Sequence, residues 1–144
     1  MDWYLKVLKD YFKFSGRARR KEYWMFFLFH YLFTGLLLFL FIYSNENLFD
    51  YSQEFETENT SYLFLILLLI YTLATIIPSL AVSSRRMHDL GKSGAWFFIN
   101  LIPYIGGFWF LILTCMEGEN KVNQYGENPK GINNNREIDF IGKE

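Results

Sequence analysis

Three long stretches of this 144-residue chain hold no Asp, Glu, Lys or Arg: residues 24–43, 62–82 and 95–116. Charged residues make up only 20% of the whole, against 51% hydrophobic and 21% aromatic. Mean hydropathy is nevertheless just +0.07, because nearly all the charge is confined to the termini and two connections. A soluble fold built from such segments would expose large apolar patches, whereas segregation of this kind suits a bilayer. Cysteine is almost absent. Cys115 stands alone inside an apolar run, which excludes an intrachain disulfide. Lysine and arginine are missing altogether from 44–61, which carries Glu46, Asp50, Glu54, Glu56 and Glu58. The net charge of -1 and pI near 6.1 supply no broad basic field, so nucleic acid is not an expected partner.

What is present follows a membrane pattern. Residues 2–14 place Trp3, Tyr4, Val7, Leu8, Tyr11 and Phe12 at helical spacing, with Lys6, Lys9, Asp10 and Lys13 mostly opposite. Thirteen residues are too few to span, so this segment reads as an amphipathic helix lying in the interface. It lacks the order of a secretory signal, which needs a charged start, an apolar middle and a small-residue cleavage site. Residues 24–43 and 62–82 each reach about 30 Å as helices, the thickness of the hydrocarbon layer. Residues 95–116 are expected as a third span, kinked where Pro103, Gly106 and Gly107 interrupt it; a re-entrant hairpin turning at 104–107 is the alternative. The expected fold is therefore an all-α integral membrane protein, with one interfacial helix, three transmembrane helices and a polar tail over 117–144.

Counting Lys and Arg by segment orients the chain. The N-terminal arm holds Lys6, Lys9, Lys13, Arg17, Arg19, Arg20 and Lys21; the first connection holds none, the second Arg85, Arg86 and Lys92, and the tail Lys121, Lys130, Arg136 and Lys143. Positive residues collect on the cytoplasmic side, so the N-terminus is expected there. Three full crossings would put the tail outside, and a re-entrant third segment would leave it inside.

Several linked motifs carry a resemblance: Tyr11-Phe12-x-Phe14-x-Gly16-Arg17-x-x-Arg20-x-Glu22-Tyr23-Trp24, Pro78-x-Leu80-Ala81, Arg85-Arg86-x-His88-Asp89-x-Gly91-Lys92-Ser93-Gly94, Ile102-Pro103-x-Ile105-Gly106 and Asn123-x-Tyr125-Gly126-x-x-Pro129. Together they resemble the bacterial domain-of-unknown-function 805 family (DUF805) of small inner-membrane proteins. The resemblance spans nearly the whole chain. It implies a multi-span protein of the bacterial inner membrane and brings no activity with it.

The candidate site is the cationic stretch 83–94 between the second and third apolar segments. Arg85 and Arg86 could fork onto a lipid or phosphate oxygen pair, with Lys92, His88 and Asp89 beside them and Arg17 and Arg20 on the same surface. Positive-inside topology alone also accounts for two arginines at a cytoplasmic helix end. His88 and Asp89 could form a proton-transfer pair or half a metal site, but no third ligand is evident, and pairing of Asp89 to an arginine is the simpler expectation. Gly91-Lys92-Ser93 is no phosphate loop, because Arg86 stands where that motif needs glycine. Glu22 is expected to pair with Arg85 or Arg86. Within the apolar runs His30, Thr75 and Asn100 lie at similar expected depths, about 7 to 10 Å from the cytoplasmic ends, and form either a small polar chamber or interhelical glue. Asn123 to Pro129 reads as a turn or cap.

No cofactor or metal is expected. The function that follows is a non-enzymatic scaffold or interaction component, its Arg/His/Asp surface engaging anionic membrane lipids or a protein, with self-association or a larger membrane partner expected because three helices bury little surface. The alternatives are a small transporter or channel subunit, and an enzyme acting on a lipid-linked phosphate.

Overall fold

The computed structural model describes residues 2–44 and 59–131. The acidic connection and the end of the tail, both singled out in the sequence, lie outside these residues. Among the described residues every element is helical: α1 (Asp2–Lys9), α2 (Arg20–Ser44), α3 (Asn59–Asp89), a 3-10 helix (Gly94–Leu101) and α4 (Ile105–Cys115). The chain forms two units. One comprises the described residues of 1–26 and 78–144, the other those of 27–77.

The second unit is the apolar middle of α2 and α3. Arg20–Ser44 and Tyr62–Asp89 are long and apolar enough to cross a membrane, and only 11% of the most apolar window of each is buried. Leu, Ile and Phe side chains thus point outward along both helices, as they do where lipid is the solvent.

The first unit departs from the sequence expectations in three places. The amphipathic helix ends at Lys9 and does not continue to 14; Asp10 and Lys13 close turns onto the Lys6 and Asp10 carbonyls, and Gly16, at φ +91°, redirects the chain as only glycine does without strain. α1 packs inward through fully buried Val7 and through Tyr4, whose ring stacks on Phe26 with centroids 5.5 Å apart. Next, the cationic stretch is helical for most of its length, since α3 runs on to Asp89. Gly91, at φ +69°, stops it in a Schellman motif, with Lys92 N–H on the Met87 carbonyl and Gly91 N–H on that of His88.

The third difference concerns 95–116, where two short helices replace the expected single kinked one. Pro103 can donate no backbone hydrogen bond, and Tyr104 sits at φ 64°, ψ -51° with Ile105 N–H bonded back to the Pro103 carbonyl at 2.7 Å, a strained γ-turn that reverses the chain. The two arms run antiparallel: Gly106 lies against the Ile99 backbone, and Phe97 meets Phe110 edge-on at 5.7 Å. Eight residues of 3-10 helix and eleven of α-helix each reach about 16 Å, half the hydrocarbon thickness.

Candidate functional site

Continuing α3 past Val82, where its uncharged run ends, puts Arg85, Arg86, His88 and Asp89 on helix faces instead of a loop, and the first unit closes around them. Arg86 and Asp89, three apart on one face, pair at 2.5 Å. Arg86 is fully buried and spends its other donors on α4, with Nε on the Thr114 carbonyl at 3.2 Å and Nη2 on that of Met116. These are carbonyls that the end of a helix leaves without intrahelical partners, so Arg86 caps α4. Arg17 approaches Asp89 from the N-terminal arm: Nε bonds its other oxygen at 3.0 Å, Nη1 the Lys121 carbonyl at 2.7 Å, and Nη2 the Glu119 carbonyl. One carboxylate and two guanidinium groups thereby join the arm, the end of α3, the end of α4 and the start of the tail.

A second buried cluster lies beside the first. Glu22, in the first turn of α2, accepts from Arg85 Nη1 at 2.9 Å and from Lys6 Nζ at 2.7 Å, so the expected pairing falls on Arg85. Arg85 also reaches Asp10 at 3.2 Å. Its Nε and Nη2, and the hydroxyl of Ser83, are buried without a partner among the described residues.

His88 lies beyond the apolar part of α3. Its Nδ1 is 3.1 Å from the Gly16 carbonyl, so Nδ1 carries the proton of that bond, and the ring stacks on Tyr125 at 3.8 Å. Burial lowers its pKa below the ordinary histidine value and the Gly16 hydrogen bond opposes this. Asn123 donates to the His88 carbonyl at 2.9 Å and accepts from Tyr125 N–H at 3.0 Å, so the tail turn caps α3. No group of three or more His, Cys, Asp or Glu suited to a metal occurs among the described residues.

The predicted site residues thus divide. Arg17, Arg85, Arg86, His88 and Asp89 come together, but the three arginines are 8%, 2% and 0% exposed and face carboxylates and carbonyls. Lys92 turns away and lies over the Trp96 ring at 4.4 Å. Arg20 stays exposed, 3.3 Å from the Cys115 carbonyl and 3.6 Å from Glu117. In the second unit His30 Nδ1 lies 3.2 Å from the Tyr71 hydroxyl, and the Thr75 hydroxyl donates to the Tyr71 carbonyl at 2.9 Å. Asn100, in the first unit, bonds the Phe97 carbonyl of its own helix at 2.9 Å. Lys6, Asp10, Arg19, Glu117 and Lys130 also join these groups, although in the sequence they stand only as charges of the arm and tail: nothing adjacent in the chain signals that Lys6 reaches Glu22 or that Arg19 reaches the Pro129 carbonyl. Arg19, Arg20, Lys21, Asp89, Asn128 and Lys130 border an open cavity of about 470 Å³.

The family described as "Protein of unknown function (DUF805)" matches residues 11–127. The chain belongs to this family. The matched DUF805 span takes in Arg17, Glu22, Arg85 to Asp89 and the Asn123 turn, and leaves out only Lys6 and Asp10 of the two buried clusters. Two DUF805-sized relatives are the inner membrane proteins YhaI and YhaH of Escherichia coli (strain K12). YhaI is 41% identical over 130 residues, covering 90% of this chain and 97% of YhaI. YhaH is 40% identical over 130 residues, covering 90% of this chain and 98% of YhaH. The uncharacterized protein YiiR of the same strain is 29% identical over 103 residues, 70% of this chain and 59% of its own length. No solved structure matches the chain.

Proposed function

We propose that this DUF805 protein is a non-catalytic interaction protein of the bacterial inner membrane. In this reading it crosses twice, through α2 and α3, and carries on the cytoplasmic side a single polar cap that engages anionic lipid headgroups. The observation that carries the reading is the set of bonds Arg17 makes. A guanidinium in the N-terminal arm can reach the carbonyls of Glu119 and Lys121 only if arm and tail share one face of the membrane. A full crossing by 95–116 would separate them. The 3-10 helix and α4 then form a re-entrant hairpin, its arms each about half a bilayer long. Charge agrees, since all fourteen Lys and Arg fall on the cap side of this topology and none in 44–61. The names of YhaI and YhaH support the membrane assignment. Exposed Lys9, Lys13, Lys21 and Lys130 give the cap the charge that anionic headgroups attract.

The test is single-cysteine labelling in a Cys115→Ser background with a membrane-impermeant maleimide. Ser52→Cys should label in spheroplasts, while Lys9→Cys and Gln124→Cys should label only after permeabilisation. Labelling of Gln124→Cys from outside refutes the two-span reading. Native mass spectrometry from gentle detergent should find anionic lipid retained over zwitterionic lipid, and equal retention refutes headgroup engagement.

A further inference from the structure

Beside the first turn of α2, cationic side chains gather around open space. The cavity there, about 470 Å³, falls in the size range of small-molecule sites. Arg19, Arg20, Lys21 and Lys130 line it. The acidic residue in its wall, Asp89, has its two oxygens taken by Arg17 and Arg86, so its charge is already answered. Each guanidinium carries five N–H groups, and the bonds from Arg19 to the Pro129 carbonyl and from Arg20 to the Cys115 carbonyl use few of them. A carboxylate outside the lining, Glu117, faces these cations. It is exposed, 3.6 Å from Arg20 and hydrogen-bonded to Lys130. Depth points the same way: Arg20 stands one helical turn, about 6 Å, before Trp24, where the uncharged run of α2 begins, which is the level of lipid headgroups.

We propose that this cavity binds a phosphate group, carried by a lipid headgroup or free in solution, and that Glu117 is the internal carboxylate the phosphate displaces. Arginine forks and lysine ammonium groups are the side chains that meet phosphate oxygens best, and a cavity with surplus positive charge has more to gain from a doubly charged phosphate than from one carboxylate. The proposal rests on the reading of the cap as headgroup-facing, and names the residues and the chemistry within it.

The experiment measures binding to the purified full chain in neutral detergent and in nanodiscs. Inorganic phosphate is titrated in the first arm; phosphatidylcholine nanodiscs with and without phosphatidic acid form the second. Glu117→Gln is the deciding variant, because a residue that merely holds the fold would weaken binding when removed, whereas a displaced competitor strengthens it. The expected gain is about two- to five-fold, the factor an exposed ion pair supplies. Arg20→Gln/Lys130→Gln should lose at least about ten-fold. Phosphate binding in the first arm identifies a free-phosphate site; binding confined to phosphatidic acid nanodiscs identifies a headgroup site. Either supports the proposal if Glu117→Gln tightens it. Wild type that binds in neither arm, or a Glu117→Gln affinity equal to or weaker than wild type, overturns it. If anionic lipid is still retained on purification while Glu117→Gln changes nothing, the pocket fails and the broader headgroup reading stands. If Gln124→Cys also labels from outside, both fail.

Discussion

Replacing Arg86 by methionine tests whether the first unit is held by its buried charges. The methionine nearly fills the volume but leaves three acceptors without their donor: one oxygen of Asp89 and the carbonyls of Thr114 and Met116. Asp89 keeps Arg17, so its charge remains half answered. Removing one partner of a buried ion pair costs about 3–5 kcal/mol, chiefly because the remaining charge is left in a poor solvent. Arg86→Met is therefore expected to lower the unfolding free energy by about 3–5 kcal/mol. Arg86→Lys keeps the charge but cannot reach three separated acceptors with one ammonium, so an intermediate loss of about 1.5–3 kcal/mol is expected. Equilibrium unfolding of the purified chain in mixed micelles, followed by tryptophan fluorescence, measures both. Limited proteolysis gives a second readout, since the tail that follows Met116 should be cut sooner once α4 loses its cap. An Arg86→Met variant within about 0.5 kcal/mol of wild type, with an equally protected tail, would refute the reasoning, because such a value belongs to a surface substitution.

Two further expectations follow from the geometry. A Cβ on Gly106 would fall onto the Ile99 carbonyl, while one on Gly107 meets nothing within 4 Å; Gly106→Ala should destabilise by about 1–3 kcal/mol and Gly107→Ala, inside the same helix, should be neutral or stabilising by up to about 1 kcal/mol, both read by the same unfolding assay. His88 has a folded pKa below 6.5, so its neutral form is the one that fits; its contribution is present above 6.5 and is lost as pH falls through the lowered folded value. Acidification from about pH 7 to about pH 5 should therefore destabilise wild type more than His88→Gln, and equal slopes for the two would refute the assignment.

What could be read in the sequence was what a single residue's solvent preference dictates. Apolar runs without charge must leave water, so the two long helices and the apolar nature of 95–116 followed from composition alone. Local chemistry was legible too: Pro103 breaks the third apolar run, and the Asn123 turn forms a cap. The extent of helix was harder to read, because four of the five residues from Arg85 to Asp89 are polar, and such a run beside an apolar one looks like a loop until something packs on it.

Which segments are apolar, where the basic residues cluster and which family the motifs indicate can all be read along the chain, because each depends on residues adjacent in it. What the charges do depends on the fold. Arg17 meets Asp89 across 72 residues and Lys121 across 104, and Arg85 meets Glu22 across 63. An arginine reads the same in a sequence whether it faces water, a headgroup or a buried carboxylate. The difference is set by desolvation and by the partner the fold brings within about 3 Å, and neither is a property of neighbouring residues. Folding turned Arg85 and Arg86 inward and left Arg19, Arg20, Lys21 and Lys130 around open space.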